Sequence, residues 1–225
     1  MITHLTSKPR IALIHATPVA IEPINAALLA GWPDAAPVNI LDDSLSVDRA
    51  AVTDLSPALT ERIVDLARYA RKLGSDGILF TCSAFGGAIE EAARQLDVPV
   101  LKPNEAMFEA AIRHGRNSAM IVTFAPSLAG MEAEFAEEAK RLGSDATLTS
   151  FLVEAAMTAL KNGDAETHNR LIAEQVRSLK GFDAIVLAHF STARAAAAVQ
   201  EAVEMAVFSS PETAVSKLRR LMQRG

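Results

Sequence analysis

The chain has 225 residues, 50% hydrophobic and 22% charged, proportions that exclude wholesale disorder and leave room for one or two compact units. Its 22 basic and 27 acidic side chains give a formal charge of −5, and aromatic residues make up 5%. The acidic balance argues against a nucleic-acid partner, whose phosphates need clustered Lys and Arg, and the scarcity of aromatics removes a base-stacking platform.

In chain order, short apolar runs alternate with longer amphipathic stretches. Ile11–His15 precedes a helical pattern over Pro18–Ala30, and Val38–Leu41 precedes one over Leu59–Leu73. Gly77–Thr81 leads into Gly87–Leu96, Pro99–Leu101 into Asn104–His114, and Ala119–Thr123 into Ser127–Leu142. Leu148–Leu152 is followed by Ala165–Leu179, Ala184–Ala188 by Thr192–Val203, and Pro211–Met222 closes the series with Ser209 or Ser210 as a cap. Asp43–Leu55 and Phe151–Asp164 read as loops. The apolar runs lack polar alternation, as strands do when both sheet faces are covered, so the expected class is α/β with parallel sheets.

The chain also repeats itself. IALIHATP (Ile11–Pro18) is echoed by AMIVTFAP (Ala119–Pro126), and DGILFTCSAFGGAIEEA (Asp76–Ala92) by DAIVLAHFSTARAAAAV (Asp183–Val199). Thr17 to Thr123 is an offset of 106 and Asp76 to Asp183 one of 107, so two landmarks share nearly one spacing. A duplicated α/β unit follows, with two similar lobes related by a pseudo-two-fold axis and a cleft between their strand ends, where open parallel sheets bind ligands. The first lobe is placed at 1–101 plus 206–225 and the second at 102–205.

Cys82 and His189 occupy equivalent places in the repeat, each six residues after its Asp. A thiol and an imidazole then face each other across the cleft, and as thiolate and imidazolium they would stabilise each other's charge, lowering the thiol's pKa and raising the imidazole's. Inert roles compete: a lone Cys often fills core space, and a His at a strand end is often structural. Thr17, Pro18, Thr81, Ser83, Ala84, Thr123, Ser191 and Thr192 surround the pair as candidate substrate contacts, their hydroxyls and turn amides forming an anion nest, with N-capping as the plainer role. Asp42, Asp43 and Ser44 could meet a substrate amine or cap the next segment, and His15 could line the cleft or fill space. No Cys/His set has zinc spacing, and no phosphate-binding or nucleophile-elbow motif occurs, so no metal and no cofactor are expected. No apolar run reaches the ~18 residues of a membrane span. Met1–Arg10 holds no apolar leader segment, and the single cysteine permits no internal disulfide, so the expected location is the cytoplasm.

The two-lobed repeat, T-C-S-A-F-G after the third strand and D-A-I-V-L-A-x-x-S near the end resemble the aspartate/glutamate/hydantoin racemase superfamily. The resemblance implies two Rossmann-like lobes and a cofactor-free cleft in which a cysteine from each lobe moves a proton at the carbon alpha to a carboxylate. It also implies a small carboxylate-bearing, amino-acid-like substrate and a homodimer. Cys82 matches the first family cysteine, whereas the second position falls on His189. The leading expectation is a racemase or epimerase in which Cys82 as thiolate takes the α-proton and His189 as imidazolium returns one from the other side. Alternatives on the same scaffold are an arylmalonate-decarboxylase-like enzyme, a maleate-isomerase-like enzyme with Cys82 as nucleophile, and a small-molecule binding protein without catalysis.

Overall fold

Apolar runs free of polar alternation can be buried only between two layers of helix, and that is where they lie. The computed structural model describes residues 8–223, so most of the opening segment read for a leader lies outside the described residues. Strands β1 (Arg10–His15), β2 (Ala36–Leu41), β3 (Gly77–Phe80) and β4 (Val100–Leu101) form one four-stranded sheet, in the order β2-β1-β3-β4. Strands β5 (Asn117–Val122), β6 (Thr147–Leu152), β7 (Ala184–Leu187) and β8 (Ala206–Ser209) form a second, in the order β6-β5-β7-β8. All pairings are parallel, and the second order repeats the first.

Ten α-helices cover the sheet faces among the described residues. Those of the first half are α1 (Ile21–Gly31), α2 (Ser44–Ala50), α3 (Pro57–Lys72) and α4 (Gly86–Gln95). Those that follow are α5 (Glu105–His114), α6 (Leu128–Arg141), α7 (Glu154–Lys161), α8 (Ala165–Arg177), α9 (Ala196–Ala202) and α10 (Ser210–Met222). The period-two geometry of a strand sends alternate side chains to opposite faces. In β1, Ala12 and Ile14 enter a cluster with Ile63, Ala67 and Ile89 of α3 and α4, whereas Ile11 and Leu13 pack with Ile24 of α1 and Leu218 of α10. In β5, Met120 and Val122 meet Phe108 of α5 and Phe135 of α6, and Ala119 and Ile121 meet Ile172 of α8 and Val199 of α9.

The aspartates that open the second repeat motif have a structural explanation. Asp76 accepts the Arg10 backbone N–H (2.8 Å), and Asp183 accepts those of Arg116 and Asn117 (2.7 and 2.9 Å). Each carboxylate therefore ties the start of the third strand of its sheet to the start of the first. Helices α3 and α8 are N-capped by Ser56 and Asp164, and the chain leaves both regions through left-handed glycines, Gly74 (φ 76°) and Gly181 (φ 80°).

The structure corrects the expected element map in three places. Asp43–Leu55 and Phe151–Asp164 are not plain loops, because they carry α2 and α7. Ala206–Ser209 is an additional strand, paired with β7, so the segment assigned from residue 206 onward to the first lobe begins in the second sheet. Helix α10, in contrast, packs against the first sheet through Ala214, Val215 and Leu218.

Candidate active site

Parallel strands deliver their C-terminal ends to one side, and each inner strand here passes directly into a tight 3-10 turn. β1 is followed by the turn Pro18–Ala20, β3 by Ser83–Phe85, β5 by Ala125–Ser127 and β7 by Phe190–Ala195. Proline fixes φ in the turns after β1 and β5, Pro18 at the first position of one and Pro126 at the second of the other. Cys82 and His189 are the extended residues just before the β3 and β7 turns, with φ/ψ of −115°/124° and −121°/148°. The next residue, Phe190, is fully buried in the first-lobe cluster with Ala20, Ile24 and Leu79. That anchor presses the His189 turn onto the opposite lobe.

A cavity of about 70 Å³ lies where these turns meet, lined by Cys82 and His189 together with Thr17, Thr81, Ser83 and Ser191. Thr17 caps the first turn by position but makes no side-chain cap bond, which leaves its hydroxyl to the cavity. Phe124, Val19 and Met157 supply apolar lining, and Lys161 is the one lysine or arginine among the lining residues.

The other candidates are placed differently. Pro18, Ala84, Thr123 and Thr192 do not line this cavity. Thr192 is fully buried, and its hydroxyl donates to the His189 carbonyl (2.6 Å) while accepting the His189 N–H (3.2 Å). The Ala84 carbonyl accepts from Arg49 Nε (3.1 Å). His15 is fully buried and does not line the cavity itself, but it bonds Thr81 Oγ1, whose residue does, and Asn39 Oδ1 (both 2.9 Å). Asp42 accepts from the Ser44 hydroxyl and the Arg62 guanidinium (both 2.6 Å), an arrangement that ties β2 to α2 and α3. Asp43 precedes α2 without a side-chain cap bond.

The ionisation of the central pair runs opposite to the sequence-based expectation. Burial pushes the Cys82 thiol up to about 11; the Ala84 backbone N–H and the charge of Arg49 favour the thiolate but do not offset it. Burial holds His189 down to about 4, and a nearby His168 adds to the effect. The resting site therefore contains a thiol and a neutral imidazole. A desolvated pocket disfavours each charge separately before the two can stabilise each other. His189 is further committed by hydrogen bonds: Nδ1 faces the Thr123 N–H (3.4 Å) and hydroxyl (3.2 Å), and Nε2 faces Ser127 Oγ (2.9 Å).

Sequence reasoning missed Ser127 and the cavity residues Val19, Ala20, Ser46, Phe124, Met157, Lys161 and Phe190. Four of these were within reach, since Val19, Ala20, Phe124 and Phe190 adjoin repeat landmarks. Ser46, Met157 and Lys161 belong to α2 and α7, read as loops. Among the described residues no group of three or more His, Cys, Asp or Glu side chains is arranged to hold a metal, and no helix is long and apolar enough to cross a membrane.

A family model described as Asp/Glu/Hydantoin racemase matches residues 14–216. No curated protein matches the sequence. Among solved structures, the fold is similar to a glutamate racemase from Bacillus anthracis, with a TM-score of 0.75 and 12% identity over 97% of this chain and 83% of that one. It is similar to allantoin racemase from Klebsiella pneumoniae, with a TM-score of 0.68 and 19% identity over 96% and 89% of the two chains. A cysteine-for-glycine mutant of arylmalonate decarboxylase in a sulfate-associated form gives a TM-score of 0.69 and 20% identity over 96% and 94%.

Proposed function

Because the chain belongs to the Asp/Glu/hydantoin racemase family, we propose that it is a cofactor-independent racemase or epimerase that moves a proton at the carbon alpha to a carboxylate of a small, amino-acid-like substrate. The observation that carries this reading is the meeting of Cys82 and His189, from matched strand ends of two sheets, at one small cavity.

The resting protonation states assign the roles. His189, a neutral imidazole, is the base that takes the α-proton, and Cys82, a thiol, is the acid that gives one to the opposite face. The products of that step are an imidazolium and a thiolate, the forms needed for the reverse reaction. This inverts the assignment expected from sequence, in which the thiolate was the base. Taking the α-proton at Nδ1 requires the substrate to replace the ring's contacts to the Thr123 N–H (3.4 Å) and hydroxyl (3.2 Å). Hydroxyls of Thr17, Ser83 and Ser191 and the amides of the β3 and β7 turns hold the carboxylate and spread the enediolate charge. Lys161 favours a substrate with a further anionic group, against the apolar wall of Val19, Phe124 and Met157. With both proton positions supplied by side chains, the reaction calls for no pyridoxal phosphate.

One observation favours a second reading. A thiol raised to about 11 keeps its proton at neutral pH, and a single thiol suffices to protonate the far more basic enediolate left by loss of carbon dioxide from a substituted malonate. One experiment separates the two: incubation with amino acids, hydantoins and substituted malonates in D2O, followed by chiral analysis and gas detection. The racemase reading expects α-deuteration with loss of optical purity; Cys82→Ala should abolish the loss of optical purity, and His189→Gln should abolish α-exchange of the enantiomer that His189 deprotonates. Carbon dioxide release with a single product enantiomer establishes the second reading instead, and loss of optical purity that survives in Cys82→Ala removes the thiol from the chemistry.

A further inference from the structure

Two backbone groups near His189 can act in one direction only: the Thr123 N–H meets the ring directly, and the Phe124 carbonyl acts on it through Ser127. Ser127 Oγ lies 2.7 Å from the Phe124 carbonyl and 2.9 Å from His189 Nε2. A carbonyl only accepts, so the single hydroxyl proton of Ser127 is spent on Phe124, and Oγ presents lone pairs to the ring. Nε2 must then carry a proton to complete the contact. On the far side, the Thr123 backbone N–H only donates, and it points at Nδ1 from 3.4 Å. Nδ1 must therefore present a lone pair. Ser127 is itself buried, at 1% exposure, and does not line the cavity that contains Cys82.

We infer that Ser127 is a positioning residue, which fixes the proton of His189 on Nε2 and so keeps the Nδ1 lone pair as the one basic site of the ring. The inference rests on the reading of His189 as the base, but its core is a tautomer that exists whether or not the protein turns anything over. Ser127 occupies the residue just before α6 without capping it by its side chain, so its hydroxyl has no competing duty at the helix start. The strand-end geometry explains the choice of residue: the β5 turn folds back so that the third residue of the turn meets the ring brought in by β7. An alanine there leaves Nε2–H without an acceptor in a buried site, and only the long 3.4 Å contact from the Thr123 N–H then holds the proton off Nδ1.

The test is the nitrogen-15 spectrum of the imidazoles in the full chain at neutral pH, with His189 assigned through His189→Gln. The expected wild-type signature is a protonated, pyrrole-type Nε2 and an unprotonated, pyridine-type Nδ1. Ser127→Ala should mix the two tautomers and speed solvent exchange of the ring proton by roughly tenfold or more. Ser127→Thr, which keeps the hydroxyl, should restore the wild-type pattern. A wild-type Nδ1–H overturns the inference, and so does an unmixed Nε2–H tautomer in Ser127→Ala. If Ser127→Ala fails to fold, the wild-type and Ser127→Thr spectra decide, and a differing tautomer in the threonine variant counts against the hydroxyl's role. Where α-hydrogen exchange is detected with a substrate, Ser127→Ala should lower kcat with little change in KM. Absence of any turnover with the expected tautomer present would count against the functional reading and leave the positioning role standing.

Discussion

Cys82 and His189 titrate away from neutrality in opposite directions, and that separation governs what each can do. With the thiol at about 11 and the imidazole at about 4, the uncharged pair persists through the whole neutral range. Alkylation by iodoacetamide consumes the thiolate, so Cys82 should react sluggishly at pH 7 to 8 and its rate should climb with a midpoint near 11. A midpoint below the ordinary thiol value would show a poised thiolate and reverse the assigned roles. The thiol–imidazole and thiolate–imidazolium forms carry the same number of protons, so kcat/KM in both directions should share one pair of pH limits. The repeat made the positions of these two residues legible, because equivalent strand ends must approach a shared cleft. Their charge states were not legible, since these depend on how closely Phe124, Phe190 and the two turns exclude water.

At the scale of single elements, the inner strands were the easiest to read. β1, β3, β5 and β7 are apolar and buried from both sides, a pattern that few other environments produce. β8 is short and only part-buried, and α2 and α7 bury one and two residues respectively, too few for a periodicity to emerge. Ser46, Met157 and Lys161 were lost with those helices. The join between β5 and β7 gives a sharp test of how the repeat motif is built. A side chain on Gly115 would run into the Asp183 side chain, whose carboxylate is held by the Arg116 and Asn117 amides. Gly115→Ala should therefore destabilise the fold by about 1–3 kcal/mol, as overpacking generally does. At roughly 2–4 °C per kcal/mol for a chain of this size, calorimetry should record a clear fall in Tm. An unchanged Tm would mean that the aspartate clamp moves aside without loss.

Across the whole molecule, contacts between the lobes carry charge as well as apolar surface. Arg194, in the β7 turn, pairs with Glu22 of α1 at 3.0 Å. Lys102, just after β4, bonds Glu90 of α4 at 2.7 Å and faces Glu134 of α6 at 3.6 Å. Glu134 is 8% exposed, and burial outweighs Lys102 in pushing its carboxyl up to about 7, with Glu105 and Glu90 adding to the rise. Its folded pKa thus lies above the unfolded value of 4.5, and the folded state binds the extra proton between them. The contribution of Glu134 to stability is fully present below about pH 4.5 and is lost as pH rises through about 7. His15, His168 and His189 act in the other sense: burial depresses all three, so their contribution is present above pH 6.5 and is lost as pH falls below it. Urea unfolding across this range should show stability falling toward acid, with a slope blunted by Glu134 and by Glu212, whose carboxyl burial also raises. Glu134→Gln removes the first of these while keeping a neutral hydrogen-bonding side chain near Lys102. At pH 5 it should nearly match the wild type; at pH 8 it should be more stable by on the order of 3 kcal/mol, since a shift from 4.5 to about 7 at ~1.4 kcal/mol per unit is nearly complete there. A variant less stable than the wild type at pH 8 would mean that the attraction of Lys102 exceeds the cost of desolvating Glu134, making the ionised pair a net clamp between the lobes.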